Sequence, residues 1–261
     1  MSHPKLASFP KENDGDGRYY KHPLTGEKLA SVTSILKMAD KSGLAQWAAD
    51  QAILWSVENW HLLGSRSPED AYKAGRFRWN AVRDERAQVG TGVHETVQAI
   101  HTGSWDYPVL DEEQKRIMGH WEMLNNEHEI KPLLTEFTCW NPGVSAGTAD
   151  GYWLIDGVKT LVDIKTSKNM WPEHNYQLAA LWASPWVMEE YELDKWRENY
   201  APTYEEVAII HLREDRHEIH RVSNLQLNYD AFKGYVDVRN AKEAIKQADK
   251  DAKVASFGGF A

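Results

Sequence analysis

The residues best suited to chemistry are two aspartates and a lysine that flank an Asp-Gly pair. One run leads from Asp150 through Gly151 and Tyr152 to Ile155, the pair is Asp156-Gly157, and a second run leads from Val158 through Val162 to Asp163-Ile164-Lys165. Asp-Gly between two apolar runs is a strong signal for a two-residue hairpin turn. With Asp156 and Gly157 as that turn, Ile155 faces Val158, and counting outward on both strands sets Asp150 opposite Asp163. Directly opposed residues have Cβ atoms roughly 5 Å apart, so two like charges there require a cation between them, and Mg²⁺ or Mn²⁺ is the natural one. Strand alternation adds Lys165 to the face of Asp163 and sends Val162 and Ile164 to the other side. Phosphodiester hydrolysis needs such a set: a metal ion polarises the phosphoryl oxygen and acidifies a water, while an ammonium offsets developing negative charge.

The tripeptide acid-x-Lys is not informative by itself, because it starts at Glu113, Glu129, Asp163 and Asp251 alike. Only the Asp163 copy ends an apolar strand pattern and faces a second carboxylate. The competing reading is an edge hairpin with ordinary charges on its solvated face, and a turn of another length would break the register.

Beyond these strands the chain resembles the PD-(D/E)XK nuclease superfamily, in particular its RecB-type branch of phage exonucleases and CRISPR-associated nucleases. The resemblance rests on four motifs in order across residues 90–181. Gly90-Thr91-Gly92-Val93-His94-Glu95 looks like the branch's helical Gly-Thr-x-x-His motif, and Gly147-Thr148-Ala149-Asp150 like its second motif. Asp163-Ile164-Lys165-Thr166-Ser167-Lys168 resembles the signature strand, and Gln177-Leu178-Ala179-Ala180 the glutamine helix that follows it. Ala30-Ser31-Val32-Thr33-Ser34-Ile35-Leu36 also looks like the opening of phage members. The resemblance implies that His94, Asp150, Asp163 and the main-chain carbonyl of Ile164 hold the metal, that Lys165 assists the water, and that Gln177 positions catalytic groups or substrate. The sequence departs from the pattern at Leu181, which stands where the family helix has tyrosine; that contact is lost or supplied by a residue such as Tyr176 or Trp182. Relatives with a four-cysteine iron–sulfur cluster differ too, since Cys139 is the only cysteine and no such cluster is expected.

Other residues carry weaker signals. His94-Glu95 suggests a zinc-protease helix, but the second histidine of that motif would fall at Gln98. Glu136, on the strand before Asp150, is either an additional ligand or an exposed carboxylate. His211, His217 and His220 have no recognised metal spacing, and solvated strand faces explain them better. Lys73, Arg76, Arg78, Arg83 and Arg86 form the densest cationic stretch, which we expect to contact DNA phosphates; the alternative is a solvated helix paired with Asp84 and Glu85.

Several elements must position these groups. Helical patterning dominates the first half, at residues 33–39, 43–62, 76–102 and 111–129, after a short hairpin over 18–30. Strands follow at 133–140, 148–155 and 159–166, then a helix over 173–190, a hairpin of strands 207–213 and 217–222, and a helix over 225–254. The order predicts an α/β fold: a mixed central sheet flanked by helices, like a restriction-endonuclease core, with a helical N-terminal half. Residues 1–131 would supply the His94 motif and 132–261 the nuclease core, within one continuous structural domain. Residues 256–261 are Gly-rich and expected to be mobile.

Composition sets the outer bounds. The 261 residues carry a formal net charge of -9, so any DNA contact must come from a local basic surface. A single cysteine excludes a disulfide framework and suits a reducing compartment. The N-terminal segment lacks the pattern of a signal peptide, no stretch is apolar enough for a membrane span, and a bacterial or phage-infected cytoplasm is expected. Twelve tryptophans point to core packing or to base stacking. Together these features predict a Mg²⁺- or Mn²⁺-dependent DNA nuclease, an exonuclease by resemblance, in phage or bacterial DNA processing or recombination. With no phosphate-binding loop of its own, it would rely on a recombination or helicase partner for unwinding. The alternatives are a non-catalytic DNA-binding or partner-binding protein on the same fold, and a nuclease acting on RNA or CRISPR spacer precursors.

Overall fold

The turn at Asp156-Gly157 anchors the architecture. Both residues have positive φ, 51° and 84°, as a two-residue hairpin turn requires. They join β5 (Ser145–Ile155) to β6 (Val158–Lys165), with Ile155 paired to Val158 and Gly151 to Val162, which is the register counted from sequence. The computed structural model describes residues 11–13, 17–39, 42–104, 107–192 and 195–257. It is α/β, with a seven-stranded mixed sheet and a helical N-terminal half.

Outward from this hairpin, β5 pairs antiparallel with β4 (Ile130–Asn141), and β6 pairs in parallel with β9 (Glu206–Leu212). β10 (His217–Arg221) closes one edge as the antiparallel partner of β9. On the other side, β4 pairs with β7 (Trp186–Glu192), which pairs with β8 (Lys195–Tyr200). A smaller sheet of β1 (Lys11–Asn13), β2 (Arg18–Lys21) and β3 (Lys28–Ala30) contains the hairpin expected near the N-terminus.

Helices cover both faces. On one, α1 (Val32–Ile35), α6 (Pro172–Trp182) and α7 (Leu225–Phe257) bury Ile35, Leu178, Leu181 and Phe232 against Phe137, Leu161 and Ile209. On the other, α4 (Pro68–Thr102) and α5 (Glu112–Glu127) bury Val93, Val97, Ile117 and Trp121 against Trp153, Val162, Ile164 and Ile210. Alternation along β6 therefore divides its side chains between two cores. α4 starts where Ser67 accepts the Asp70 N–H ahead of Pro68, and ends on Gly103 at φ 65°. α5 starts on an Asp111/Gln114 capping box. α2 (Ser42–Glu58) and α3 (Trp60–Leu63) precede α4, and α2 packs on it. No described helix is long and apolar enough to cross a membrane.

Several elements differ from expectation: the helix expected over 76–102 already starts at Pro68, the one expected over 43–62 is two helices, α2 and α3, and β8 was not expected. The helix predicted over 173–190 stops at Trp182, because Pro185 has no N–H to continue it, and Trp186-Val187-Met188 instead pair with Trp140, Cys139 and Thr138 as β7. α7 reaches Phe257, and the rest of the tail expected to be mobile lies outside the described residues. The tryptophans divide: Trp121, Trp140 and Trp153 are fully buried, whereas Trp60 and Trp171 are exposed.

Candidate active site

Between β4 and β5 the regular ladder is interrupted. Thr135 pairs with Gly151 and Phe137 with Ala149, while Glu136 and Asp150 between them make no ladder pair. Glu136 has φ 51°, uncommon for a residue with a side chain, and such backbone strain concentrates at functional sites. Ala149 and Tyr152, three residues apart, both reach the core under α6, so β5 changes phase across Asp150. The break opens a cleft of about 490 Å³ whose lining includes His94, Glu136, Asp150, Asp163, Lys165 and Gln177.

Each side chain is held from a different element. Asp150 on β5 accepts the Ile164 N–H at 2.6 Å through Oδ2 and stands 3.3 Å from His94 Nδ1 through Oδ1. His94 enters from α4. Asp163 on β6 is buried; its Oδ1 accepts from Gln177 Nε2 of α6 at 2.9 Å, and its Oδ2 pairs with the Lys165 ammonium. Gly147 lets α6 approach, because a Cβ there would lie 2.7 Å from Leu181 Cδ2 and 3.2 Å from Val32 Cγ2.

Burial and paired charge set the protonation states. Burial lowers the His94 imidazole, but the facing Asp150 carboxylate outweighs it and holds the group up at about 9. Asp150 feels the reverse: burial raises it, and His94, Lys165 and the Ile164 N–H together bring it below the usual carboxylate range. For Asp163, burial dominates over the Lys165 ammonium and pushes the carboxyl up to about 6. Lys165, despite burial, is raised by Asp163 and Asp150, so it stays an ammonium at neutral pH. The paired register of β5 and β6 ends at Gly151 and Val162, so Asp150 and Asp163 are not the ladder pair that the count from the turn made them. Each carboxylate has its own cation, His94 for Asp150 and Lys165 for Asp163, while the charge of Asp150 still adds to the upward shift of Asp163.

Ligand geometry differs in one respect from the set inferred by resemblance. One ligand atom each from His94, Glu136 and Asp150 lie within 4.8 Å of one another, which brings Glu136 into the group; Asp163 stands outside it, engaged with Lys165 and Gln177. Ile164 contributes its N–H to Asp150. Three carboxylates and an imidazole in one cleft form a donor set suited to a divalent cation, with the Lys165 ammonium beside them as a fixed positive charge.

Sequence reasoning missed Arg18 and Tyr20, which reach the cleft from β2; the Tyr20 hydroxyl lies 3.0 Å from Thr148 Oγ1. No spacing in the sequence marks them, since β2 is brought over the large sheet by tertiary packing. Tyr176 and Trp182, suggested as stand-ins for the tyrosine absent at Leu181, do not line the cleft, whereas Tyr20 and Leu181 do. The cationic stretch does not line it either. Lys73 pairs with Glu69 at 2.7 Å, Arg78 with Glu85 at 3.5 Å, Arg83 with Asp84 at 2.8 Å and Arg86 with Glu113, while Arg76 donates to the Tyr72 hydroxyl at 3.3 Å.

Compared with models of protein families and with curated proteins, the chain matches none.

Proposed function

We propose that the chain is a divalent-metal-dependent nuclease that hydrolyses phosphodiester bonds in DNA, on the pattern of the RecB-type PD-(D/E)XK enzymes. The observation that carries this reading is convergence: His94, Asp150, Asp163, Lys165 and Gln177, from α4, β5, β6 and α6, line one cleft. Chance placement of charges along an edge hairpin does not predict a histidine and a glutamine arriving from two separate helices.

Mg²⁺ or Mn²⁺, when bound, supplies polarisation of the phosphoryl oxygen and a more acidic water. Asp150, His94 and Glu136 have the grouping to hold it, with Asp163 beside them. Lys165 keeps its proton and offsets charge developing on the phosphate. Gln177 fixes Asp163 by donating to Oδ1, which leaves Oδ2 for Lys165. Arg18, at the cleft rim, has the charge to hold a neighbouring phosphate. An exonuclease role in phage or bacterial DNA processing, in the cytoplasm and beside a recombination or helicase partner, extends the same reading.

Digestion of end-labelled linear and closed circular DNA, single- and double-stranded, with Mg²⁺, Mn²⁺ or chelator, tests it. Metal-dependent loss of linear substrate is expected, and Asp163→Asn and Lys165→Ala should each lower it by about 10³-fold with the fold intact. Cleavage that persists in either variant, or binding without cleavage by the unaltered protein, overturns the proposal; the second outcome would make the chain a DNA-binding protein.

A further inference from the structure

The face of the sheet that carries Lys165 continues onto β9 and β10. His211 is the partner of Lys165 in the parallel ladder, Glu218 lies directly opposite His211 on β10, and His220 is two residues farther along the same strand. Alternation puts these three side chains on one face, with Ile210 and Ile219 on the other. The sequence favoured solvated strand faces for these histidines, but His211 is only 2% exposed.

Its two ring nitrogens are placed differently. Nε2 lies 2.7 Å from the Ser167 carbonyl, and a carbonyl can only accept, so Nε2 carries the proton. In the neutral ring, Nδ1 is then a bare lone pair, and this buried nitrogen makes no hydrogen bond. It stands 3.7 Å from Glu218 Oε2, an acceptor against an acceptor, and the same oxygen lies 2.9 Å from His220 Nε2. One ligand atom from each of the three residues lies within 4.8 Å of the others. Ligands about 2.1 Å from a tetrahedral zinc ion are about 3.4 Å apart, so the 3.7 Å separation is close to a coordination edge. A histidine that donates one nitrogen to a backbone carbonyl and aims the other at a carboxylate and a second imidazole has the arrangement of a metal ligand fixed by its outer partner.

We infer that His211, Glu218 and His220 form a second metal site, distinct from the cleft, that takes a zinc-class divalent ion with water completing the coordination. Two imidazoles against a single carboxylate favour a borderline transition ion, whereas Mg²⁺ favours a set dominated by oxygen, such as the carboxylates of the cleft. Arg216 Nε, 3.5 Å from Glu218 Oε1, holds the outer carboxylate oxygen and leaves Oε2 facing the histidines. The site ties the edge strand β10 to β9. Through the Ser167 carbonyl, and through Arg213 donating to the Lys168 carbonyl at 3.1 Å, it also ties in the loop that follows Lys165.

Full-length protein stripped with chelator and titrated with Zn²⁺ by calorimetry, and with Co²⁺ by visible absorption, in excess Mg²⁺ throughout, provides the test. One equivalent should bind, with the intense visible bands of tetrahedral Co²⁺. Glu218→Gln with His220→Ala, both on the half-exposed edge strand, should weaken it by about 100-fold or more and abolish the rise in Tm that Zn²⁺ gives. His94→Ala with Asp150→Asn, which dismantles the cleft group, should leave this binding in place. No binding by the unaltered protein, binding that survives the β10 variant, or binding lost only in the cleft variant overturns the inference.

Discussion

The two halves of α4 treat charge in opposite ways. Over its first half the helix is largely exposed, and Lys73, Arg78, Arg83 and Arg86 each lie beside a carboxylate on the surface. Over its second half, Val89, Val93 and Val97 are buried against the sheet, and two histidines seven residues apart sit on the inward side. Asp150 faces His94 and holds it up at about 9. His101 meets instead the ring edges of Trp121 and Trp153, at centroid distances of 5.4 and 4.7 Å, and burial pushes it down to about 4. Surface cations are neutralised by whatever neighbour the helix supplies, whereas a buried imidazole takes its charge from the one group that another element brings to it.

If that contrast is right, the largest effect of any change in α4 falls at His94. His94→Ala removes the imidazole from the cleft group while leaving the core valines in place, and should lower metal-dependent cleavage by about 10³-fold, roughly 4 kcal/mol. Single-turnover cleavage with saturating metal measures it; a variant as active as the parent would take His94 out of the site.

His101 should matter for stability and not for cleavage. The unfolded chain binds a proton as pH falls through 6.5, while the folded protein binds it only near 4, so stability is full above 6.5 and declines as the pH falls to about 4. The separation corresponds to about 3 kcal/mol. His101→Phe should flatten that part of the pH profile in denaturant titrations, with cleavage at neutral pH little changed; an equally steep profile would show that acid sensitivity arises elsewhere.

Asp150→Asn sharpens the comparison from the opposite side. Opposed carboxylates alone would make this substitution stabilising, but Asp150 is held below its usual range by His94, Lys165 and the Ile164 N–H, so its contribution is present at neutral pH and lost on acidification through its folded value. Asparagine keeps an oxygen for the Ile164 N–H and loses the charge facing His94. The metal-free variant should therefore be less stable by about 2 kcal/mol at pH 7, and a raised Tm would restore the repulsion argument.

Legibility followed the range of the interactions. The hairpin register, Asp163 and Lys165 were readable because an Asp-Gly turn and strand alternation are local, and the φ values at Asp156 and Gly157 agree with the count. The caps at Ser67 and Asp111 are equally local. β7 was missed because the apolar spacing of α6 runs on past Pro185, and only the β4 edge decides that the segment is a strand. Glu136 was noticed but not placed, since its strained backbone depends on the gap opposite Asp150. Tyr20 and Arg18 left no local trace, and the grouping of His211 with Glu218 and His220 needs the β9–β10 register as well as the sequence.

The smallest effect belongs to the exposed half of α4, and it decides whether that surface is a DNA groove. Three free cations each neutralising one phosphate would give a log–log salt slope lower by about 2.7 when Arg76, Arg78 and Arg83 are replaced together with alanine. Arg83 and Arg78 are engaged with Asp84 and Glu85, so a phosphate must displace a carboxylate already in place and fewer counterions are released overall. Arg76 packs over Tyr72 and Phe77, with its centre 5.7 and 5.5 Å from the two rings, and is the least opposed of the three. At 1.5 Å of rise per residue it also lies about 27 Å along the helix from His94, where only an extended duplex would meet it. The triple variant should therefore reduce the salt slope by about 1 and leave cleavage at saturating DNA unchanged. Fluorescence anisotropy of a labelled duplex across a salt series, with chelator present, measures this. A fall near 3 would mean that DNA breaks the surface ion pairs and that the two halves of α4 form one binding surface. No change would move the groove to another basic segment, with the lysines of α7 from Lys242 to Lys253 the first to test.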